Sequence, residues 1–335
     1  VVGANVTATG TLSVSSTGYF GGNVGLGTTS PSAKLSVVGG NIAHIASGNP
    51  TLATTTPTNN HSVATYLSGR YAYIADYEGG LKILDVTNPK SPKNIGSYTG
   101  ISSANAVVVS GRYAYVSDNA TGLNIIDVSN PSSPSLVGTY AIPAGGANSV
   151  AVSGKYVFIN DFNNHVVRII NVSNPAAPTL TGSYTTGSGT GNPYTLAVSG
   201  KYLYIGDFKP AVYVVNIANP AAPALVGTYT TTIDSPSSIY VTGQYAYVTD
   251  QVKGLYILNV SNPSLPVKVG SYHPTDAFYG VQVAGNYAYI ADNAGNLVQL
   301  DVSDVTLPTL VGTYALGTCA SGFCPQGVSV SGKYA

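Results

Sequence analysis

The 335-residue chain carries 13 Lys and Arg against 13 Asp and Glu, a formal net charge of zero. Such neutrality lacks the basic footprint that nucleic acid or an anionic membrane surface demands. Charged residues make up only 8%, against about 25% in ordinary soluble domains, yet the 44% hydrophobic content excludes a disordered polymer. No apolar run reaches the roughly 18 residues that span a bilayer. No signal peptide is visible. The chain opens on Val1 rather than Met, and a leader or longer precursor is expected ahead of it.

Residues 1–39 come first and alternate small, β-branched and glycine residues, as in "TGTLSVSSTGYFGGNVGLG". This pattern predicts an ordered β segment rather than a flexible linker. The stretch "NVGLGTTSPSAKLSV" resembles a segment of phage tail-fibre-like and bacterial surface fibre proteins. The resemblance implies a stalk or assembly element. An exposed strand of this kind is a ready partner for another subunit's sheet edge, so self-assembly is the expected interaction.

A repeat follows. Gly69, Gly111, Gly154, Gly200, Gly243, Gly285 and Gly332 each precede an aromatic phrase such as "RYAYVSD", at intervals of 42 to 47 residues. One copy, "NAVVVSGRYAYVSDNATGLNIIDVSNPSSPSLVGTY", reads as four short strands. "YAYVSD" has the period of a half-buried strand, and the Asn-Pro of "SNPSSP" marks a turn. Four strands per 40-odd residues in tandem predict a β-propeller. The recurring blocks "GLKILDVTNP", "GLNIIDVSNP", "RIINVSNP", "VYVVNIANP" and "GLYILNVSNP" resemble the LVIVD-repeat propellers of prokaryotic surface proteins across about residues 40–335. The resemblance implies fold and location and carries little activity. The sixth copy departs from it, with "LDVSDVTLP" replacing Asn-Pro and putting its turn in doubt.

The seventh copy stops at Ala335, two residues into its second strand. "GNIAHIASGNPTLATTTP", 40–57, aligns with the third and fourth strands of the sixth copy. The expectation is therefore a seven-bladed, all-β propeller over 40–335, with 40–57 and 326–335 together forming the closing blade.

The repeat absorbs most of the residues that could carry chemistry. Asp76, Asp118, Asp161, Asp207, Asp250 and Asp292 share one position. Asp85, Asp127 and Asp301 share another with Asn171, Asn216 and Asn259. These are read as turn caps accepting backbone N–H groups, rather than as a ring of catalysts or calcium ligands. Of the 26 tyrosines, 18 fall on three repeated positions and are read as packing between blades.

The first and third turns of the repeat are nearly constant. The second turn and the blade-to-blade connection vary, and in a four-stranded meander these two share one end. Recognition usually sits on variable loops over a rigid frame. Residues unique to one copy at that end are the ligand-binding candidates: Tyr77, Glu78, Phe162, His165, Phe208, Lys209, Lys253, His273, Asp276 and Phe323. Cys319 and Cys324, close together around Ser-Gly, suit a local loop disulfide, with two inert thiols as the alternative. A disulfide favours an extracytoplasmic location. Asn5, Asn60, Asn119, Asn171 and Asn259 head N-x-S/T triplets and are candidate glycosylation acceptors.

No nucleophile–base–orienter set emerges. His44, His61, His165 and His273 lie in unrelated contexts, and no metal spacing occurs. No enzyme activity, cofactor or metal is expected. The expected function is an extracellular structural or adhesive protein, a subunit of a fibre, filament or surface layer. A monomeric carbohydrate- or protein-binding module is the alternative, and a hydrolase or lyase stands behind both.

Overall fold

The computed structural model describes residues 24–26, 35–37, 53–55, 61–143, 146–274, 276–316, 326–332 and 334–335. The chain divides into two units, Val1–Ser47 and Gly48–Ala335. In the first, Val24–Leu26 pairs in parallel with Leu35–Val37, with Val24 opposite Leu35. Both strands fall inside the motif read as fibre-like; the rest of 1–39 lies outside the described residues.

The second unit is a β-propeller. Six four-stranded antiparallel meanders follow one another in chain order, at 64–98, 104–141, 150–185, 193–229, 236–272 and 278–315. They are called blades 1 to 6. Among the described residues there is no α-helix, only the short 3-10 turns Phe162–Asn164 and Thr186–Ser188.

Each blade runs from an innermost strand, such as Ala104–Ser110, to an outermost one, such as Ser135–Ala141. The second strand, expected to be half-buried, is buried on both faces: Ala114 to Asp118 are all buried in blade 2. The reason is architectural. A middle strand in a blade has one neighbouring blade on each side. Aliphatic and aromatic side chains from successive blades then form five shared cores. The tyrosines contribute as expected: Tyr73, Tyr115, Tyr204 and Tyr247 retain only 3–5% exposure. Burying a side chain of that size stabilises by about 1.5–3 kcal/mol.

Two devices set the blade spacing. Each outermost strand carries a one-residue bulge, as between Leu136 and Gly138 in blade 2. The glycine after the bulge lies against a backbone carbonyl in the third turn of the next blade. A Cβ at Gly96, Gly138, Gly182, Gly227 or Gly270 would collide with the carbonyl of Pro131, Pro175, Pro220, Pro263 or Val305 respectively. For Gly312 of blade 6 no such contact falls among the described residues.

The third turn is held the same way six times. Asp85, Asp127, Asn171, Asn216, Asn259 and Asp301 each accept the backbone N–H two residues on, at 2.8–2.9 Å. The turn placed in doubt by its missing Asn-Pro is intact. Asp304 replaces Asn and accepts from the Thr306 N–H and hydroxyl at 2.9 and 2.6 Å.

The expectation of seven blades is corrected to six complete ones. Residues 326–330 form no strand, and among the described residues the one pairing beyond them is the bridge between Ser331 and Tyr334. The segment nevertheless lies between blades 6 and 1. Ser329 Oγ donates to the Thr65 carbonyl at 2.8 Å, and the Val330 N–H donates to Gln282 Oε1 at 2.7 Å. These bonds run through side chains, so no backbone ladder forms. Except for residues 53–55, the segment 40–57 expected to complete the blade lies outside the described residues.

Candidate functional site

In every blade the innermost strand enters from the blade-to-blade connection and leaves at the first-turn glycine. Its first residues therefore stand at the variable end, around the central axis. Val63, Asn105, Asn148, Tyr194, Ser237, Tyr279 and Gln326 share one repeat position, six residues before the first-turn glycine. All seven line a single cavity of about 210 Å³ at the mouth of the channel. The seventh, Gln326, comes from the segment between blades 6 and 1. Among the described residues no charged side chain lines this cavity.

Its polar groups are organised. Asn105 Nδ2 donates to Asn148 Oδ1 at 3.0 Å, joining blades 2 and 3. Ser237 Oγ donates to the carbonyl of Phe278 at 2.7 Å, and the Thr249 hydroxyl donates to the carbonyl of Tyr279, joining blades 5 and 6. Tyr194 stacks on Phe208 with ring centroids 4.2 Å apart. Burial, with the Tyr279 hydroxyl adding to it, pushes the Tyr194 hydroxyl above its ordinary pKa.

The buried aspartates sit just outside this ring and tie the variable loops down. Asp250 accepts four backbone N–H groups, two from the connection (Asp234, Ser235) and two from the second turn (Val252, Lys253), at 2.7–3.0 Å. Asp207 bridges the Asn192 and Lys209 N–H groups in the same way. Asp118 and Asp292 bond within their own turns. Asp76 and Asp161 also pair with cations, Lys82 and Arg168, while Asp161 caps its own turn by accepting the Asn164 N–H and Asp76 accepts the Ser62 hydroxyl. The position read as a turn cap is thus a hub that takes whatever donors its blade supplies.

Several residues singled out from sequence come together here. Phe162 packs edge-on to Phe208 at 6.2 Å, so Phe162, Phe208 and Tyr194 form an aromatic path from the blade 3 loop to the channel mouth. On blade 5, His273 Nδ1 bonds the Lys253 carbonyl at 2.6 Å, and its ring meets Tyr256 edge-on. Tyr77 exchanges backbone hydrogen bonds with Ala104, extending blade 1 towards blade 2. Its ring lies 6.3 Å from that of His61.

Others join neither group. Glu78, Lys209 and Asp276 are exposed on separate loops, and His165 takes the left-handed turn closing a 3-10 helix. Phe323, Cys319, Cys324, His44, Asn5 and Asn60 lie outside the described residues. Asn171 and Asn259 commit their Oδ1 to turn caps. The Asn119 backbone carbonyl accepts from the Gly146 N–H.

Asn105, Asn148, Tyr194, Ser237, Tyr279 and Gln326 were not singled out from sequence, which compared loops. A signal was present: one position before the aliphatic run of the innermost strand carries five residue types in seven copies. Among the described residues no three His, Cys, Asp or Glu side chains gather into a metal-holding group.

The LVIVD repeat model matches residues 62–100, 102–142, 144–186, 190–231, 235–274 and 279–316. No curated protein matches the chain. Among solved structures, a functionally unknown protein from Desulfotomaculum acetoxidans superposes with a TM-score of 0.66 at 16% identity, over 79% of this chain and 87% of that one. A Lactobacillus plantarum protein gives 0.63 at 15% identity, over 76% and 81%. A proposed 6-phosphogluconolactonase from Bacteroides uniformis gives 0.62 at 18%, over 74% and 82%. Identities this low speak to fold alone.

Proposed function

This chain belongs to the LVIVD-repeat family, and from that premise we propose that it is an extracellular structural or adhesive protein, a subunit of a surface fibre, filament or layer. The observation that carries the reading is the division of labour along the blade. One end is a near-identical set of caps and turns repeated six times. The other carries different loops in each blade, tied down by buried aspartates. A rigid disc with one individual face suits a protein whose work is contact.

The near absence of charge supports close packing of copies, since little repulsion opposes it. The N-terminal segment supplies the subunit contact: its short strands and fibre-like sequence offer edges to a neighbouring chain. The role is not enzymatic. The described histidines lie apart, and the repeated aspartates are spent on backbone amides and paired cations.

The test is a chain lacking residues 1–39, compared with the intact chain by light scattering. The expected result is a folded propeller, with unchanged far-UV circular dichroism, that no longer forms large particles. A truncated chain that assembles like the intact one would overturn the reading.

A further inference from the structure

The channel mouth has a chemistry of its own. Among the described residues its lining holds amides, hydroxyls and two tyrosines beside the aliphatic Val63, Val281 and Val328, with no carboxylate, ammonium or guanidinium. Such a lining offers no full charge to an anion or cation. A purely apolar ligand would cover its half-buried amides without pairing them, at up to about 1–3 kcal/mol for each group. The matching ligand is small, neutral and rich in hydroxyls.

The Asn105–Asn148 pair sharpens the match. The bond from Asn105 Nδ2 to Asn148 Oδ1 spends one donor and one acceptor. Among the described residues, Asn105 Oδ1 and Asn148 Nδ2 take no other partner. One strong acceptor and one strong donor thus stand side by side on neighbouring blades. Two adjacent hydroxyls meet that requirement together, one donating to Oδ1 while the other accepts from Nδ2. Tyr194, braced by Phe208 and carrying a hydroxyl of its own, adds an aromatic wall and a third polar group. The volume of about 210 Å³ leaves room for one sugar ring.

We infer that the channel mouth is a binding site for a neutral monosaccharide unit, gripped through vicinal hydroxyls by Asn105 and Asn148 and walled by Tyr194. The site is formed by the propeller alone and does not depend on assembly. Because binding is read by calorimetry and assembly by particle size, either idea can fail while the other stands.

The test titrates the intact chain with the methyl glycosides of glucose, galactose and mannose, and with glucuronate as a charged control. At least one neutral glycoside should bind saturably, with Kd in the millimolar range, and glucuronate more weakly. Asn105→Leu and Asn148→Leu should each weaken binding about tenfold, the effect of one lost polar contact. Tyr194→Phe keeps the stacked ring and serves where a leucine variant fails to fold; it should weaken binding about threefold. Asn130→Ala, at the opposite end of blade 2, should leave affinity unchanged. No binding by any of the three glycosides up to about 100 mM would overturn the inference. So would affinity indifferent to every folded variant at the mouth, or a preference for glucuronate.

Discussion

The two ends of each blade solve the same problem, a turn full of backbone donors, in opposite ways. At the constant end every blade uses one solution. An Asp or Asn closes the third strand and accepts the N–H two residues on, and an Asn or Asp three residues later accepts the N–H two residues beyond it or, in blade 2, the Ser132 hydroxyl. At the variable end one aspartate recurs six times, but its partners differ: four amides for Asp250, Arg168 and Asn164 for Asp161, Lys82 and Ser62 for Asp76. The contrast teaches what repetition in the chain means here. Where the next blade must dock, geometry admits one arrangement. Where the contacts between blades differ from one pair to the next, a buried carboxylate anchors loops of any sequence, and those loops are free to differ.

The sharpest way to break the comparison is at the variable end of blade 3. Asp161 is fully buried, and Arg168 packs beside it. Asp161→Ala strands the guanidinium and should cost about 3–5 kcal/mol. Urea unfolding reads the loss; a cost below that of an ordinary surface change would show that Arg168 finds water instead.

Next is the inter-blade contact. Gly182→Ala places a methyl against the Pro220 carbonyl of the following blade. It should destabilise by about 1–3 kcal/mol, as overpacking does. Urea unfolding at the same midpoint as the unchanged protein would contradict the close approach of the two blades there.

Smaller still is a single constant-end cap. Asn174→Ala removes one acceptor from the Ala176 N–H and should cost about 1 kcal/mol in thermal unfolding. Asn219→Ala in blade 4, where Asn219 accepts the Ala221 N–H at 3.2 Å, should cost the same.

The smallest effect is on acid stability. Arg112, then Ser129, hold the Asp127 carboxyl down at about 2, below its ordinary 3.8. A depressed folded-state value stabilises above the unfolded pKa. That contribution is therefore full above about pH 4 and fades as pH falls towards 2. The pair is exposed, so the effect is small. The melting temperature of Asp127→Asn should approach that of the unchanged protein as pH falls through this window, and a constant difference would assign the stabilisation elsewhere.

Much of this was legible in the chain. The period of 42 to 47 residues carries the propeller, and the constant turns carry their caps, because both follow from local spacing. Asp304 shows the limit of reading a motif by its letters: the Asn-Pro is gone, but a carboxylate caps the turn as well as an amide. The full burial of "YAYVSD" was hidden because alternation reports on one strand, and its second covered face comes from a neighbouring blade. The seventh blade was overcounted for a related reason. A strand-like phrase such as "QGVSVSG" reaches its place in the ring, but a ladder needs a backbone partner in register, and 326–330 is held by side chains. The channel-mouth ring was missed because it unites single residues about 40 positions apart, and only closure of the disc makes them neighbours.

The proposed role as an assembling surface protein is tested most directly by electron microscopy of the intact chain. Our reading predicts ordered fibres, filaments or layers built from discs. A field of separate discs at every concentration and ionic condition tried would contradict it.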